Sequence, residues 1–327
     1  MEIAFVGDVM LGRLVADELR RHPPEHPWGD ALRLLRRADV LVGNLEFVLS
    51  SDGRPWPGKT FHFRADPAAV ASLEAAGFDL VSVANNHVLD FGWDAAAESL
   101  ATLASHGIRF AGAGEDLEAA QRPAVLERAG LRVGMLAFTD NEPGWAAGPG
   151  APGVHHVPPD PRDPRAAALF ESVARARDHA DLLVVSAHWG GNWGVDVPPT
   201  HRAFARALVD AGADVVFGHS PHIPRGVEVI RGRPVLYSAG DFVDDYAVDP
   251  VERNDRSFVF VLRADGGVPV ELRLHPTEIG DCRVRLAGAS AERIASEMSR
   301  RCAVLGTRAT WDGARRCLVV GLEPGTH

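Results

Sequence analysis

The sequence has few cysteines and no long apolar run, and each of these scarcities excludes a class of protein; the single lysine, Lys59, excludes none. The three cysteines lie in the last fifth of the chain without C-x-x-C spacing, so they suit neither a disulfide framework nor a zinc ribbon. They are Cys282, Cys302 and Cys317, and we interpret them as reduced thiols. No apolar run approaches the roughly 18 residues of a transmembrane helix, so no membrane segment is predicted.

The charge balance is acidic, with a formal net charge of −10 and a pI near 5.8. This balance argues against a general affinity for nucleic-acid phosphates or anionic lipid, so we expect no nucleic-acid partner. The hydrophobic fraction of 46% is ample for a sizeable core. The chain opens directly on a predicted strand, residues 3–6, without a basic leader, which predicts a cytoplasmic location.

The most informative motif is V-S-V-A-N-N-H-V-L-D-F-G, residues 81–92. An apolar, β-branched run over residues 78–83 predicts a buried strand, which stops at Asn85, Asn86 and His87. Open α/β sheets present their binding sites at strand ends of this kind. Taken alone, the motif also fits a turn whose asparagine side chains cap the next helix.

Polar side chains follow several other predicted strands in the same way. The residues concerned are Asp8, Glu46, Asn86, His87, His188, His219, His222 and Asp241. Carboxylates, an amide and imidazoles are ligands for one or two divalent ions of the Zn, Mn or Fe type. Two such ions can share and activate one water molecule. Individually, His188 also fits a packed ring and His222 a turn residue.

Six ordered motifs resemble those of one family: G-D-V-M-L-G-R, G-N-L-E, A-N-N-H-V-L-D-F-G, H-W-G, G-H-S-P-H and Y-S-A-G-D-F. They look like the motifs of CapA-type proteins, the poly-γ-glutamate capsule proteins, which are similar to calcineurin-like metallophosphoesterases. The resemblance covers residues 3–245. It implies a four-layer α/β/β/α sandwich of two mixed sheets, with a metal site at the carboxyl ends of the strands.

The resemblance also implies roles for single residues. Asp8 matches the first-motif aspartate, Glu46 the bridging carboxylate and Asn86 the metal-binding amide. His87 matches the histidine that protonates the leaving oxygen. His188, His219 and His222 match the remaining imidazole ligands.

Three departures from the family patterns affect the predicted chemistry. Met10 stands where metallophosphoesterases carry a histidine, which favours a mononuclear or weakly occupied site. Glu46 replaces an aspartate, and its extra methylene shifts the bridging geometry. Ser220 and Asp241 differ from the usual CapA-type residues, and Asp241 adds a carboxylate that suits a ligand or a base.

A metal-independent acid/base enzyme is the second hypothesis, because some relatives of this fold epimerise a peptide Cα. That chemistry needs an acid and a base on opposite faces of one carbon. Asp8, His87, Asp241 and His275 are the candidates. His275 is included because it ends a predicted strand, residues 270–274, although it also fits an exposed edge-strand histidine. An acidic segment over residues 244–255 is either a solvated loop or a rim that binds a cationic group or orients the ligand histidines.

The substrate is predicted to be a small molecule or a peptide, and loops are expected to shape its site. The candidate loops span residues 50–66 and 140–164, the second being a proposed lid. Candidates for substrate contact are Arg13, Lys59, Arg64 and Trp189. The basic members suit a carboxylate or phosphate.

The sequence thus predicts one CapA-like domain over residues 1–327, completed by C-terminal strands and a helix over 255–327. Its first functional hypothesis is a metal-dependent hydrolase in which metal-activated water attacks a phosphoester or a γ-glutamyl or peptide amide. A peptide epimerase is the second hypothesis, and a non-catalytic binding module in polymer or peptide assembly is the third. The sequence does not indicate an oligomeric state.

Overall fold

The structure is a computed structural model that describes residues 1–322. The C-terminal boundary predicted at residue 327 therefore lies outside the described residues. The α-helices are α1 (Arg13–Leu19), α2 (Leu32–Leu35), α3 (Val70–Ala76), α4 (Trp93–Ser105), α5 (Leu117–Gln121), α6 (Pro164–Arg177), α7 (Pro199–Ala211) and α8 (Ala291–Val304). Short 3₁₀ helices occupy His26–Ala31, Pro67–Ala69 and Pro143–Trp145.

The strands are mostly short and fall into two main sheets and two small ones. They are β1 (Glu2–Val9), β2 (Val40–Leu45), β3 (Val48–Leu49), β4 (Arg64–Ala65), β5 (Leu80–Ser82), β6 (Arg109–Ala111), β7 (Ala113–Gly114), β8 (Ala124–Arg128), β9 (Leu131–Thr139), β10 (Gly153–Val154), β11 (Leu182–His188), β12 (Val215–His219), β13 (Val227–Ile230), β14 (Arg233–Leu236), β15 (Asp241–Val243), β16 (Arg256–Asp265), β17 (Val268–Gly280), β18 (Arg283–Leu286), β19 (Thr310–Asp312) and β20 (Cys317–Gly321).

The larger main sheet has ten strands, with the path β19-β20-β17-β16-β1-β2-β5-β6. Strands β1, β2, β5 and β6 run parallel, whereas β16, β17, β20 and β19 are antiparallel. Strand β15 pairs in parallel with the end of β1, and β18 pairs with β17. The second main sheet has six strands in the order β13-β14-β12-β11-β9-β8, with a parallel centre and antiparallel edges. Both sheets are therefore mixed, and the α/β class is confirmed.

Side chains that alternate along the strands divide the core into three hydrophobic clusters. One cluster joins the two main sheets, with Phe5 of β1 against Phe217 of β12 at 5.4 Å between ring centroids. A second cluster joins Val6, on the other face of β1, to Leu103 of α4. A third joins Val185 of β11 to helices α6 and α7. Central strands are thus buried on both faces, which explains their almost continuous apolar sequences.

Helix ends follow local sequence signals. Asp116 accepts a hydrogen bond from the backbone N–H of Ala119 at 2.8 Å and so caps the start of α5. Gly77 ends α3 in a left-handed conformation, as glycine after a helix commonly does. Among the helices of residues 1–322, none combines the length and apolarity needed to cross a bilayer.

The predicted end of a strand before His275 is wrong. Strand β17 continues through His275 and Pro276 to Gly280. On one side of β17 the pairing with β20 stops at Leu274 and the pairing with β18 starts at Thr277. Pro276 lies in the gap between these two partner strands. Proline has no backbone N–H, but no hydrogen bond of the sheet is lost on that side because neither of these partner strands pairs with this residue.

Candidate metal centre and active site

The carboxyl ends of parallel strands from both main sheets meet at one place, and the predicted polar residues lie there. Asp8 is near the end of β1, and Glu46 directly follows β2. His188 and His219 end β11 and β12 and are direct neighbours in the register of those strands. Asp241 was predicted to follow a strand, but it begins β15, where it pairs with Asp8.

Gly7 makes the close approach of β1 and β15 possible. The backbone N–H of Asp8 donates to the carbonyl of Gly240 at 2.9 Å. A Cβ atom at residue 7 would lie 1.7 Å from that carbonyl oxygen, so only glycine fits without moving the backbone. The G-D motif thus places Asp8 beside Asp241.

Three carboxylates, Asp8, Glu46 and Asp241, are at most 2% exposed and lie beside one another. Asn44 connects two of them, because its Nδ2 donates to Oδ1 of Asp8 at 2.8 Å and to Oε2 of Glu46 at 3.4 Å. Burial raises the pKa of Asp8, and burial together with neighbouring carboxylates raises the pKa of Glu46 and of Asp241 well above their usual values. Such a group of like charges is unfavourable unless a cation or protons compensate it.

Two buried imidazoles lie side by side at the ends of β11 and β12. The Nδ1 atoms of His188 and His219 are 2.8 Å apart, and Nε2 of His219 is 2.7 Å from Oγ of Ser186. Burial lowers the pKa of His219 to about 3, and burial plus the neighbouring ring lowers the pKa of His188 well below its usual value. Both rings are therefore neutral, the form that binds metal ions.

His222 is the third imidazole, and it contacts the carboxylates directly. Its Nδ1 donates to Oδ1 of Asp241 at 2.8 Å and lies 3.7 Å from Oδ2 of Asp8. Asp244 is buried behind this pair, and burial raises its pKa to about 6. A buried Asp244 does not fit a solvated loop. It fits the other interpretation of the acidic segment, in which its carboxylates orient the ligand histidines.

At these strand ends, potential ligand atoms form two groups that each fit one cation. Asp8 with His188 and His219, and Asp8 with Glu46 and His222, have donor atoms within 4.8 Å of one another. Asp8 belongs to both groups, whereas Glu46, the predicted bridging carboxylate, belongs to one of them. Buried oxygens without a hydrogen-bond partner among residues 1–322 include Asp8 Oδ2, Glu46 Oε1, Asn86 Oδ1, Asp241 Oδ2 and Asp244 Oδ2. Unpaired anionic and amide oxygens beside neutral imidazoles fit a divalent cation.

The two asparagines of the Asn-Asn-His motif have different environments. The side chain of Asn85 donates to Oδ1 of Asn44 at 3.0 Å and to the carbonyl of Leu45 at 2.8 Å. Its Oδ1 accepts from the backbone N–H groups of His87 and Val88, each at 3.0 Å. Asn85 therefore fixes the turn, but it does not cap the next helix, because α4 begins at Trp93 after Gly92 without a side-chain cap. The neighbouring Asn86 directs its unpaired oxygen to a buried position, which suits a ligand.

Substitution of these two neighbours should separate folding from ligand binding. Asn85→Ala should lower the free energy of unfolding by about 2–4 kcal/mol, because it strips four hydrogen bonds from a buried turn. Asn86→Ala should leave the unfolding free energy of metal-free protein within about 0.5 kcal/mol of wild type. Urea titration in chelator checks both values. Equal losses of stability in the two variants would contradict the division of roles.

His87 forms a buried histidine–carboxylate pair with Asp90. Its Nδ1 donates to Oδ2 of Asp90 at 2.7 Å, while Nε2 lies 3.8 Å from Oε1 of Glu46. Lys59 pairs with the other oxygen of Asp90 and donates to the carbonyl of Asn86. Burial lowers the pKa of His87 to about 4, so the ring is neutral and its Nε2 has a free lone pair near the carboxylates.

A cleft of about 420 Å³ opens beside these residues. Its lining includes Asn86, His87 and His222, together with Arg13 and Lys59. The remaining lining residues are Thr60, Phe61, Phe63, Asn192, Trp193, Tyr246 and Ala247. The 50–66 loop thus contributes to the cleft as predicted, whereas the 140–164 loop contributes no lining residue. Within that second loop, Trp145 instead packs against Trp56 at 5.3 Å between ring centroids.

Three predicted site residues lie away from the cleft. Trp189 is fully buried, and its indole N–H donates to the carbonyl of Tyr237 at 2.9 Å, so it cannot contact substrate. The guanidinium of Arg64 lies over the ring of Phe91, 4.3 Å from the ring centroid, and Arg64 does not line the cleft. His275 pairs with Val259 within the sheet, away from the strand ends that carry the site. Register and burial therefore correct these three assignments.

A comparison of two tryptophans tests the correction. Trp189→Phe should lower the free energy of unfolding by about 1–3 kcal/mol, because the carbonyl of Tyr237 loses its donor and the core loses volume. Trp193→Phe, at a residue that is 37% exposed, should change it by less than about 0.5 kcal/mol. Chemical denaturation measures both. A larger loss for Trp193→Phe would contradict the buried position of Trp189.

Sequence reasoning missed several residues that shape the site. Asn44 lies inside the G-N-L-E motif and Asp90 lies in the opening motif, three residues after His87. The three-residue spacing indicates a histidine–carboxylate pair, because a carboxylate three residues further along a turn can reach the imidazole ring of His87. Tyr246 gave no comparable signal, although burial and four nearby carboxylates raise the pKa of its hydroxyl well above the usual value.

Two mixed sheets with a buried carboxylate–histidine cluster at their strand ends define a mixed α/β protein with a candidate metal centre. The family described as bacterial capsule synthesis protein PGA_cap matches residues 2–246 of this chain. The chain therefore belongs to the bacterial capsule synthesis, or CapA-type, family, and the predicted resemblance is confirmed.

Curated relatives carry names consistent with this family. A probable polyglutamine synthesis accessory protein of Mycobacterium tuberculosis is 37% identical over 280 residues, covering 81% of this chain and 72% of that protein. The PGA biosynthesis protein CapA of Bacillus subtilis is 32% identical, covering 75% and 63% of the two chains. The capsule biosynthesis protein CapA of Bacillus anthracis is 31% identical, covering 75% and 60%. The match thus spans less than two thirds of both Bacillus proteins.

Among solved structures, a hypothetical protein from Thermus thermophilus has a similar fold. Its TM-score is 0.50 at 18% identity, and the match covers 85% of this chain and 99% of that one. The likeness concerns the fold alone.

Proposed function

We propose that this chain is a metal-dependent hydrolase that cleaves a phosphoester or an amide of a γ-glutamyl or peptide substrate. The observation that carries the proposal is the Asp8-centred group of unpaired ligand atoms beside the His87–Asp90 pair. His222 of the ligand groups and His87 of the pair line the same cleft. Asp8, Glu46, Asn86, His188, His219 and His222 would hold one or two ions of Mn, Zn or Fe.

A divalent cation at this place would supply Lewis acidity and make hydroxide available from water at neutral pH. The residues of the chain then have separate tasks. The positive charge of the cation would compensate the carboxylates of Asp8 and Glu46, which are otherwise buried among like charges. Asn44 holds these two carboxylates in place through its hydrogen bonds.

His87 is the residue that we expect to move the proton. Asp90 accepts the hydrogen of Nδ1 and so fixes the tautomer in which Nε2 faces the site. The neutral ring would accept at Nε2 the proton that the attacking water releases, and would then donate it to the leaving oxygen or nitrogen. Lys59 steadies Asp90 and thereby the ring, while Arg13 is the cation best placed to hold an anionic substrate group.

We also propose that the fold is a four-layer α/β/β/α sandwich of the metallophosphoesterase-like type. Its support is the division of the core into one cluster between the sheets and two clusters between a sheet and helices. Residues 1–327 are proposed to form one domain, since strands β16 to β20 join the same sheet as β1.

A hydrolysis assay with metal control tests the functional proposal. Purified protein loaded with Mn²⁺ should hydrolyse a phosphodiester or γ-glutamyl anilide substrate, and chelator should abolish the activity. Re-addition of Mn²⁺ should restore it, which separates metal loss from unfolding. Activity unchanged in chelator, with protein free of bound metal, would contradict the proposal. Metal binding without turnover of any such substrate would favour the binding-module hypothesis.

The metal-independent epimerase remains the second candidate because the cleft has two histidine–carboxylate pairs. His87 pairs with Asp90 and His222 pairs with Asp241, and both rings line the cleft. Two such pairs supply the acid and the base that epimerisation at one carbon needs. Deuterium incorporation from solvent at a peptide Cα, insensitive to chelator, distinguishes this chemistry from hydrolysis. Its absence with every peptide that binds the cleft would rule against it.

A further inference from the structure

Two large aromatic side chains are exposed at the candidate active-site cleft. Phe61 is 60% exposed and Trp193 is 37% exposed, and both line the cleft. They come from different loops, residues 50–66 and 189–198. Exposed aromatic rings around a concave site commonly mark a binding surface.

The backbone of Trp193 is held in a conformation that is unfavourable for a residue with a side chain. Its φ angle is +68°, in the left-handed region. Three hydrogen bonds fix this segment: the N–H of Trp193 donates to the carbonyl of Pro221 at 3.1 Å, and Arg225 donates to the carbonyls of Trp193 and Gly194 at 3.1 and 2.9 Å. Arg225 is itself buried, being 5% exposed. A strained residue that buried groups hold in place often has a binding role.

The segment that carries Phe61 is also anchored. The backbone N–H of Trp56 donates to the carbonyl of Asp90, and the N–H of Phe63 donates to Oδ2 of Asp90, each at 2.7 Å. Residues on both sides of Phe61 are thus fixed to the residue whose carboxylate orients His87. The position of the exposed ring is therefore tied to the candidate catalytic residue.

The inner wall of the cleft continues this aromatic surface. Phe63 stacks on His87 with ring centroids 4.0 Å apart, and Tyr246 meets His222 edge-on at 5.4 Å. Arg13 provides the cationic edge, with its Nε directed to Asp245 at 3.2 Å and its guanidinium over Phe63 at 5.6 Å. A guanidinium carries five N–H donors, so Arg13 can bind an anion in addition to Asp245.

We propose that the cleft recognises a substrate in which an aromatic or similarly planar apolar group adjoins an anionic group. Phe61 and Trp193 contact the planar group, and Arg13 contacts the anion. The proposal rests on the proposed function only in treating this cleft as the substrate site. The proposed substrate class excludes ligands that are purely polar, whatever their charge.

A matched pair of non-hydrolysable anions tests the inference. Phenylphosphonate and methylphosphonate share the phosphonate group and differ in its carbon substituent, a phenyl ring or a methyl group. Calorimetric titration of each into Mn²⁺-supplemented protein gives two dissociation constants. We expect phenylphosphonate to bind about tenfold more tightly, within the range of aromatic contacts. The double variant Phe61→Ala/Trp193→Ala should reduce this ratio to less than about twofold while methylphosphonate affinity stays unchanged.

Leu286→Ala is the matched control, since Leu286 is 37% exposed, as Trp193 is, and does not line the cleft. It should retain the tenfold ratio. Equal affinities for the two probes in wild type, a ratio that persists in the double variant, or failure of phenylphosphonate to bind at millimolar concentration would overturn the proposal. If the tenfold affinity ratio is found but turnover does not depend on metal, this inference stands and the hydrolase proposal fails. If turnover depends on metal but the two probes bind equally, the hydrolase proposal stands and this inference fails.

Discussion

Replacement of His87 by glutamine should reduce turnover by about 10²–10⁴-fold, the usual contribution of a positioned proton-transfer group. Nε2 of His87 is 3.8 Å from Glu46, at the edge of the proposed metal site, and the ring lines the cleft. Glutamine retains a polar side chain of similar length but cannot pass a proton between substrate and water. The loss should appear in kcat more than in KM, because the step removed belongs to the transition state.

Control variants separate this role from a structural one. Asp90→Asn should lower kcat in the same direction, because the ring of His87 loses the acceptor that fixes its tautomer. His179→Gln, at an exposed histidine of the turn after α6, should leave kcat unchanged. Metal content and the unfolding transition should match wild type in His87→Gln. Full activity in that variant would exclude His87 as the proton-transfer residue in the hydrolase and the epimerase alike.

Replacement of Asp8 by asparagine should weaken divalent-metal binding by more than about 100-fold, beyond the usual effect of losing a residue that only supports a ligand. Asp8 is the member common to both groups of ligand atoms. Its loss therefore affects both potential ions at once. Metal analysis after equilibration with Mn²⁺ and gel filtration gives the number of ions per chain.

Single-group variants sharpen this prediction. His219→Ala removes a ligand from one group only, and Glu46→Gln removes a ligand from the other. If two ions bind, each of these variants should keep the ion of the untouched group, whereas Asp8→Asn should keep neither. Asp178→Asn, at an exposed aspartate, should bind metal as wild type does. Undiminished metal binding in Asp8→Asn would show that the centre lies elsewhere.

In the absence of metal, the Asp8→Asn substitution should not lower the stability of the protein. Asp8 lies among buried carboxylates, so its neutral replacement removes like-charge repulsion. We therefore expect metal-free Asp8→Asn to be no less stable than metal-free wild type, although it gains nothing from added Mn²⁺. A binding residue that is unfavourable for folding in the absence of its ligand is consistent with a functional site.

The location of the site was predictable from the sequence because parallel strands share the direction of their carboxyl ends. Asp8, Glu46, His188 and His219 each follow a recognisable apolar run, and adjacent strands bring such residues together. Burial on both faces of the central strands made these runs easy to identify. The antiparallel pair β8 and β9 is likewise encoded locally, because Ala129-Gly130 between two apolar runs is a hairpin signal.

Other features depend on contacts that sequence spacing does not encode. Trp189 directly follows a ligand candidate in the sequence, yet the alternation of side chains places it in the hydrophobic core. His275 precedes a proline, but the strand continues because the proline falls between two pairing partners. The membership of Asp8 in both groups of ligand atoms, and of Glu46 in one, depends on distances across two sheets, which no linear pattern specifies.

Anomalous X-ray scattering from crystals grown with Mn²⁺ or Zn²⁺ would locate a metal ion at Asp8 directly. We expect a strong peak at about 2.0–2.2 Å from an oxygen of Asp8, with imidazole nitrogen of His188, His219 or His222 completing the coordination. A second peak on the other side of Asp8 would identify it as the bridging carboxylate. Crystals of active protein that show no anomalous peak at Asp8 would contradict the claim.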